Sequence, residues 1–245
     1  MGRWISNFNT TAELTAFSGT TAFSMPHISL TKDDSQVHYF DPYNGYKFVE
    51  IGGLKWATMN VGANSITDVG LYFQWGDTQG YTASQVGDGE GQKYFSLEDY
   101  KYTNDGGTTM TKYNSTDGKT VLDLSDDAAR ANMGGLWRMP TKDEFKTLSG
   151  AVTTAWTTSY QGSGVSGLVC TDKTDSSKVL FFPAAGLCDY GSVDRVGSNG
   201  YYWSSSVVSS DVQYAYTLHF DSSYVDWQDL YYRCYGFAVR GVLGE

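Results

Sequence analysis

The sequence predicts an α+β fold in which two helices sit among short antiparallel strands and long loops. Three observations carry that prediction. Residues 125–132 and 141–148 each combine a helix-capping residue with acids in the first turn. Aromatic runs of five or six residues recur between Gly- and Asn-containing breaks, as short strands do. Finally, 28 Gly, 19 Tyr and 7 Trp in 245 residues describe a chain of many turns with a bulky core.

Taken in order, residues 1–45 form an N-terminal adaptor segment. Thr10 and Glu13 have the spacing of a capping box, which predicts a short helix. Residues 26–30 and 36–40 read as two strands, with Lys32-Asp33-Asp34-Ser35 as the turn between them. A hairpin this small does not stand as a domain, so the segment is expected to dock onto another protein. The main domain spans 46–245. Tyr46–Ile51 and Leu54–Met59 flank Gly52-Gly53, the signature of a tight hairpin. Leu71–Trp75 predicts another strand, and 76–119 a long irregular excursion.

The first helix is expected from Ser125, with Ser125 as cap and Gly134-Gly135 as the stop. Thr141 and Glu144 form a capping box behind Pro140 and open the second. Beyond Leu168 the pattern is strand and loop throughout.

Charge and cysteine content narrow the function. Seventeen basic against 27 acidic residues give a net charge of −10, which excludes a phosphate-backbone partner. No apolar run reaches the roughly 18 residues of a membrane helix, so membrane insertion is not expected. Met1 to Asn9 lacks the basic and apolar stretches of a secretory signal. Export inside an assembled particle, or a place at the cell surface, is the expectation. Cys170, Cys188 and Cys234 form neither an even framework nor a close-spaced metal site, and read as free thiols.

At the level of motifs the chain resembles a known family. Gly53 to Ala63 (GLKWATMNVGA), Asp126 to Asn132 with Trp137 to Thr141, Tyr202 to Ser206, and Tyr235 to Arg240 follow one another in order. They are similar to the signatures of the Fibrobacter succinogenes major paralogous domain, related to the formylglycine-generating-enzyme branch of the C-type lectin fold. The resemblance implies that C-type lectin-like fold. It also implies kinship with proteins diversified by retroelements, in which template adenines are mutagenised and a C-terminal segment carries the variable binding residues. Short N-terminal motifs, Phe8-Asn9-Thr10 and Pro26 to Leu30, resemble leader segments of Bacteroidales phage and prophage structural proteins.

Residues 187–234 take the place of the variable segment in that resemblance. Tyr202, Trp203, Ala215, Tyr216, Leu218, Phe220, Val225 and Tyr235 to Phe237 serve as its frame. Between them lie Tyr214, Thr217, His219, Asp221, Tyr224 and Asp226, at positions expected to be Asn in a template. The implied binding face also takes in Cys188, Asp189, Tyr190, Asp194, Arg195, Tyr201, Val207, Val208, Asp211 and Val212. At its far end come Trp227, Asp229, Leu230, Tyr231, Tyr232 and Cys234.

The residue pattern offers a geometric parallel. In Tyr216 to Asp221, Tyr, Leu and Phe alternate with Thr, His and Asp, so a half-buried strand would hide the first set and display the second. His219 and Asp221 are therefore expected to be exposed beside Tyr231. Randomised Asn codons cannot yield Lys or Met, and neither residue occurs from 201 onward. The run Asp226 to Tyr232 joins acids to rigid aromatics, as binding loops do.

Other chemistry is thinner. Arg233 and Arg240 are expected to pair internally with acids. His27, His38 and His219 are scattered, so no histidine metal centre is expected. Asp88 to Gly91 and Asp105 to Gly107 offer oxygens to a structural Ca²⁺, but neither has calcium-loop spacing, and turn chemistry explains both. No cofactor is expected. Formylglycine formation in the related branch needs paired cysteines near the C-terminus; Cys234 stands alone there, so an enzyme is not expected. The functional expectation is a receptor-binding protein at a phage tail tip whose ligand is a host surface protein or glycan. A surface adhesin and a structural tail component are the alternatives.

Overall fold

The structure is a computed structural model that describes residues 28–29, 38–39, 41–107 and 109–243. The helix expected near Thr10 lies outside those residues. In chain order the strands begin with β1 (Ile28–Ser29), β2 (His38–Tyr39), β3 (Phe48–Ile51) and β4 (Leu54–Asn60). The next are β5 (Thr103–Asn104), β6 (Thr109–Met110), helix α1 (Ala128–Met133), β7 (Trp137–Arg138) and helix α2 (Lys142–Ala151). Then come β8 (Val152–Thr157), β9 (Gly167–Asp172), β10 (Val179–Pro183), β11 (Leu187–Asp189) and β12 (Ser192–Asp194). The last are β13 (Gly200–Val207), β14 (Tyr214–Phe220), β15 (Val225–Tyr232) and β16 (Arg240–Leu243).

Local signals place most of these elements. Ile28–Ser29 pairs antiparallel with His38–Tyr39, within the expected first hairpin. Gly52 and Gly53 both have positive φ, 63° and 79°, as a two-residue hairpin turn requires of its central positions. That turn sets Ile51 opposite Leu54. The helix α1 starts two residues later than a Ser125 cap implies. Asp127 caps it instead, accepting the Arg130 N–H at 2.9 Å, and a single 3₁₀ turn occupies 124–126. In α2 the capping box forms as expected: Thr141 accepts the Glu144 N–H and Glu144 accepts the Thr141 N–H. Leu71–Trp75 is not a ladder strand. Tyr72 and Phe73 make single bridges, to Tyr81 and Phe237, and the side chains around them fill the core.

The fold class corrects the sequence expectation. With 38% strand against 12% helix, arranged in several small antiparallel sheets, this is a β-rich fold and not clearly the α+β C-type lectin arrangement. The physical reason is where apolar area is buried. The six-residue α1 buries two alanines and Met133, and α2 buries Phe145 and Leu148. Strand residues make most of the remaining core. The three larger sheets run β3-β4-β16-β7, β13-β14-β15 and β10-β9-β8. Among the described residues no helix is long and apolar enough to cross a membrane.

Two apolar clusters lie on opposite sides of β13 and β14. Tyr201, Trp203 and Ala215 join Trp75, Trp137 and Phe237 on one side. Tyr202, Leu218 and Phe220 join Trp56, Phe145 and Phe182 on the other. The alternation of side chains along a strand delivers both sets from the same backbone.

Candidate ligand-binding face

The candidate site begins at the β11–β12 hairpin. Asp189 pairs with Ser192, which leaves Tyr190 and Gly191 as a two-residue turn with φ values of 42° and 76°. A bulky residue in the left-handed region is uncommon, and here the turn imposes it. Tyr190 thus stands at the tip, 57% exposed. From there a chain of ring contacts crosses the surface. Tyr190 meets Tyr94 and Tyr235 edge-on, Tyr235 meets Tyr232, and Tyr232 lies 4.4 Å from Tyr214. A second branch runs from Tyr235 through Phe237 to Tyr231, Tyr201, His219 and Tyr224.

The floor of the second branch is fixed by strand register. Tyr201 on β13 lies opposite His219 on β14, and their rings stack at 4.2 Å. On β15 the register slips: Thr217 pairs with Asp229 but His219 pairs with Asp226, so Leu218 alone faces both Trp227 and Gln228. Such a bulge redirects side chains. Here it accompanies an Asp229 Oδ2 to His219 Nδ1 distance of 2.9 Å, with the Tyr224 hydroxyl 2.7 Å from the same nitrogen. His219 Nε2 lies 3.3 Å from Asn199 Nδ2, and Arg195 donates to the Tyr201 hydroxyl at 2.8 Å. Both imidazole nitrogens are engaged by protein groups, so His219 acts as a pin beneath the face.

Electrostatics keep the phenols neutral. Burial, then the nearby Asp229, pushes Tyr224 up to about 12, and burial with Asp189 does the same at Tyr235. Burial also drives Tyr231 upward. At neutral pH these hydroxyls both donate and accept hydrogen bonds. The carboxylates differ. Burial and then Asp194 hold Asp189 above the ordinary value, with Arg195 opposing. Burial also acts upward on Asp229, but the His219 hydrogen bond and the Leu230 N–H outweigh it and leave the carboxyl low.

Not every residue expected on the face is there. His219 is only 4% exposed and Thr217 is fully buried, which overturns the expectation that they are displayed. The reason is position: β14 is the central strand of its sheet, with core packed against both faces. Asp221 is half-buried, its Oδ1 held by Ser223 and the Tyr224 N–H. Tyr201, Cys188, Cys234, Val207 and Val208 are buried too. Trp227 packs half-buried into the cluster around Phe220.

The exposed members are Tyr190, Asp194, Arg195, Asp211, Tyr224, Asp226 and Leu230; Asp189, Val212, Tyr214, Asp229, Tyr231 and Tyr232 are half-buried. Tyr94, 39% exposed, belongs to the face but comes from the irregular excursion. No local signal marks it; the Gly191 N–H donates to the Tyr94 carbonyl at 2.7 Å, which ties the excursion to the β11–β12 turn, and the Tyr94 ring leaves no room for a Cβ at Gly191. Tyr235 and Asn199 also join the site; Tyr235 was placed in the frame, and Asn199 carried no signal.

The arginines correct a further expectation. Arg233 and Arg240 are fully buried, yet among the described residues neither pairs with an acid. Arg233 donates to the Tyr100 hydroxyl and to the Val212 and Lys112 carbonyls, beneath Trp75 at 4.6 Å. Among the described residues no group of three or more His, Cys, Asp or Glu comes together as a metal site.

Residues 170–242 match the family model of a domain of unknown function, DUF8237. No curated protein and no solved structure matches the chain. The matched span carries every residue of the face except Tyr94.

Proposed function

We propose that this chain is a ligand-binding protein that presents a tyrosine-rich face to a host surface protein or glycan, as a retroelement-diversified receptor-binding component of a phage tail tip. The observation that carries the reading is the run of exposed and half-buried rings from Tyr94 and Tyr190 through Tyr235 and Tyr232 to Tyr214, with the exposed Tyr224 linked to it through the buried rings of Phe237, Tyr201 and His219. Tyrosine supplies rigid contact area and a polar tip at low entropy cost, which suits a surface required to change its partner. The resemblance to diversified variable proteins supports the same segment. Exposed members such as Tyr190, Arg195 and Asp226 tolerate replacement, since exposed substitutions change stability by about ±0.5 kcal/mol. Buried members such as Thr217 and His219 restrict it. Several copies on one particle would add avidity to modest single-site affinity.

The test has two arms. Sequencing the locus is expected to find a near-identical repeat, differing at adenines, next to a reverse transcriptase. Its absence removes diversification and leaves a surface adhesin of fixed specificity. Labelled protein is expected to stain intact Bacteroidales host cells. The Tyr190→Ala, Tyr224→Ala double variant should weaken that staining by at least about tenfold, as loss of exposed aromatic anchors does. Undiminished staining would remove the face from the binding role.

A further inference from the structure

A second feature lies beside the face, at the strand β8. This strand is the outer member of the β10-β9-β8 sheet, and its register to β9 is regular across six residue pairs. Its sequence, VTTAWT, has no charge and no proline, and Thr153, Thr154 and Ala155 are all exposed. An outer strand turns half of its N–H and C=O groups away from its neighbour. On β8 the Val152 N–H is taken by the Leu148 carbonyl at the end of α2, while Thr154 and Trp156 have no bridge or backbone partner on the outer side among the described residues.

Natural sheets blunt such edges with charge, proline, bulges or cover. The other sheet edges here show these devices. β3 carries Glu50, β10 ends in Pro183 and is mostly buried, and β15 carries acids and a bulge. Only β8, among the longer outer strands described, has none.

A groove of about 410 Å³ runs along it. One wall is Thr154, Ala155 and Trp156, three consecutive residues of β8, with Leu168 of β9 behind Trp156, so the groove runs along the outer strand and reaches in toward the sheet. The opposite wall is the turn from Asp221 to Tyr224 with Val225 and Trp227, the start of β15. The space therefore lies between the outer strands of two sheets. Asp221 is its single charged lining residue, so the groove favours a basic occupant. Through Tyr224 it is continuous with the tyrosine face.

We infer that β8 is an acceptor edge for an extended, basic polypeptide segment of a partner protein, which adds as an antiparallel strand between β8 and the 221–227 wall. Main-chain hydrogen bonds to β8 supply sequence-independent affinity. Alternate side chains of the segment meet Trp156 and Trp227 or the Asp221 carboxylate, which supplies selectivity. The inference does not require the tyrosine face to bind anything.

The probe is a synthetic peptide of about ten residues, alternating valine and lysine, a length that matches a long strand. Two controls replace lysine with glutamate, or every second residue with proline. Fluorescence anisotropy with the full chain is expected to show the valine–lysine peptide binding about tenfold tighter than either control. Amide hydrogen exchange should slow at residues 153–157 when it binds. Thr154→Lys, an exposed substitution, should weaken binding about tenfold while leaving the thermal midpoint unchanged.

Three results would overturn the inference: no added protection in β8, protection confined to the tyrosine face, or full affinity in Thr154→Lys. Protection of β8 that rises with protein concentration in the absence of peptide would assign the edge to a second copy of this chain, and also overturns it. Peptide binding and host-cell staining are separate readouts, so either can fail while the other stands.

Discussion

Arg233 and Arg240 show how a buried cation is held here without a counter-charge. Arg240 donates to Asn60 Oδ1 and to the Ala57 and Phe181 carbonyls, and its guanidinium lies 4.8 Å from the Phe182 ring centre. Burial pushes it down to about 10, which leaves it charged at neutral pH. Arg233 solves the same problem with carbonyls and rings, and in doing so ties 112–113, 212 and β15 together. Arg233→Met would strip several buried carbonyls of their donor. Each unsatisfied group costs about 1–3 kcal/mol, so the loss is expected to be about 3 kcal/mol or more, read as a lower urea midpoint with unchanged slope. The sequence showed two arginines beside aromatic motifs. It could not show whether acids or carbonyls would meet them, because the partners lie far away along the chain.

At the scale of elements, α2 is anchored by one carboxylate with two tasks. Glu144 closes the capping box with Thr141, and it receives Arg138 through two bonds of 2.7 and 2.6 Å. Burial acts to raise this carboxyl, but the Arg138 bonds and the Thr141 N–H win and hold it below its ordinary 4.5. A carboxyl depressed in the folded state stabilises fully above its unfolded value, and that contribution disappears as pH falls through the folded value. Glu144→Gln is therefore expected to cost about 2 kcal/mol near pH 7, and the gap to the parent should narrow once the pH is taken well below the ordinary carboxylate range. Urea titrations of both proteins under the two conditions check this. The box itself was legible in Thr141 and Glu144, three residues apart. The β15 bulge was not, because register belongs to the pair of strands and is absent from either alone.

For the molecule as a whole, the sheet β13-β14-β15 divides two cores, with Tyr214 and Tyr232 at one end of the β14–β15 ladder and Tyr224 in the turn at the other. The three cysteines are buried free thiols: Cys234 and Cys170 lie one in each core, and Cys188 packs with Tyr72, Val86 and Phe95 in a smaller cluster. Burial raises all of them, Cys234 to about 12, so little thiolate exists at neutral pH. The native protein is expected to be inert to a thiol-specific reagent, and to titrate all three cysteines once unfolded. A reductant should leave the thermal midpoint unchanged. Fast labelling of the folded chain would show that one of the cores opens locally.

The sequence by itself determined the elements whose causes are local. The Gly52-Gly53 turn, the capped α2, the overall acidity and the gathering of tyrosine toward the C-terminus follow from neighbouring residues. Tertiary structure decided what individual residues do. The alternation in Tyr216 to Asp221 has the pattern of a strand with one open side, yet β14 lies between two cores, so His219 is a pin and not a contact. Tyr94 enters the face from nearly a hundred residues before Tyr190. Periodicity reports which side chains share a side of a strand. Only the packing of distant strands decides whether that side meets water.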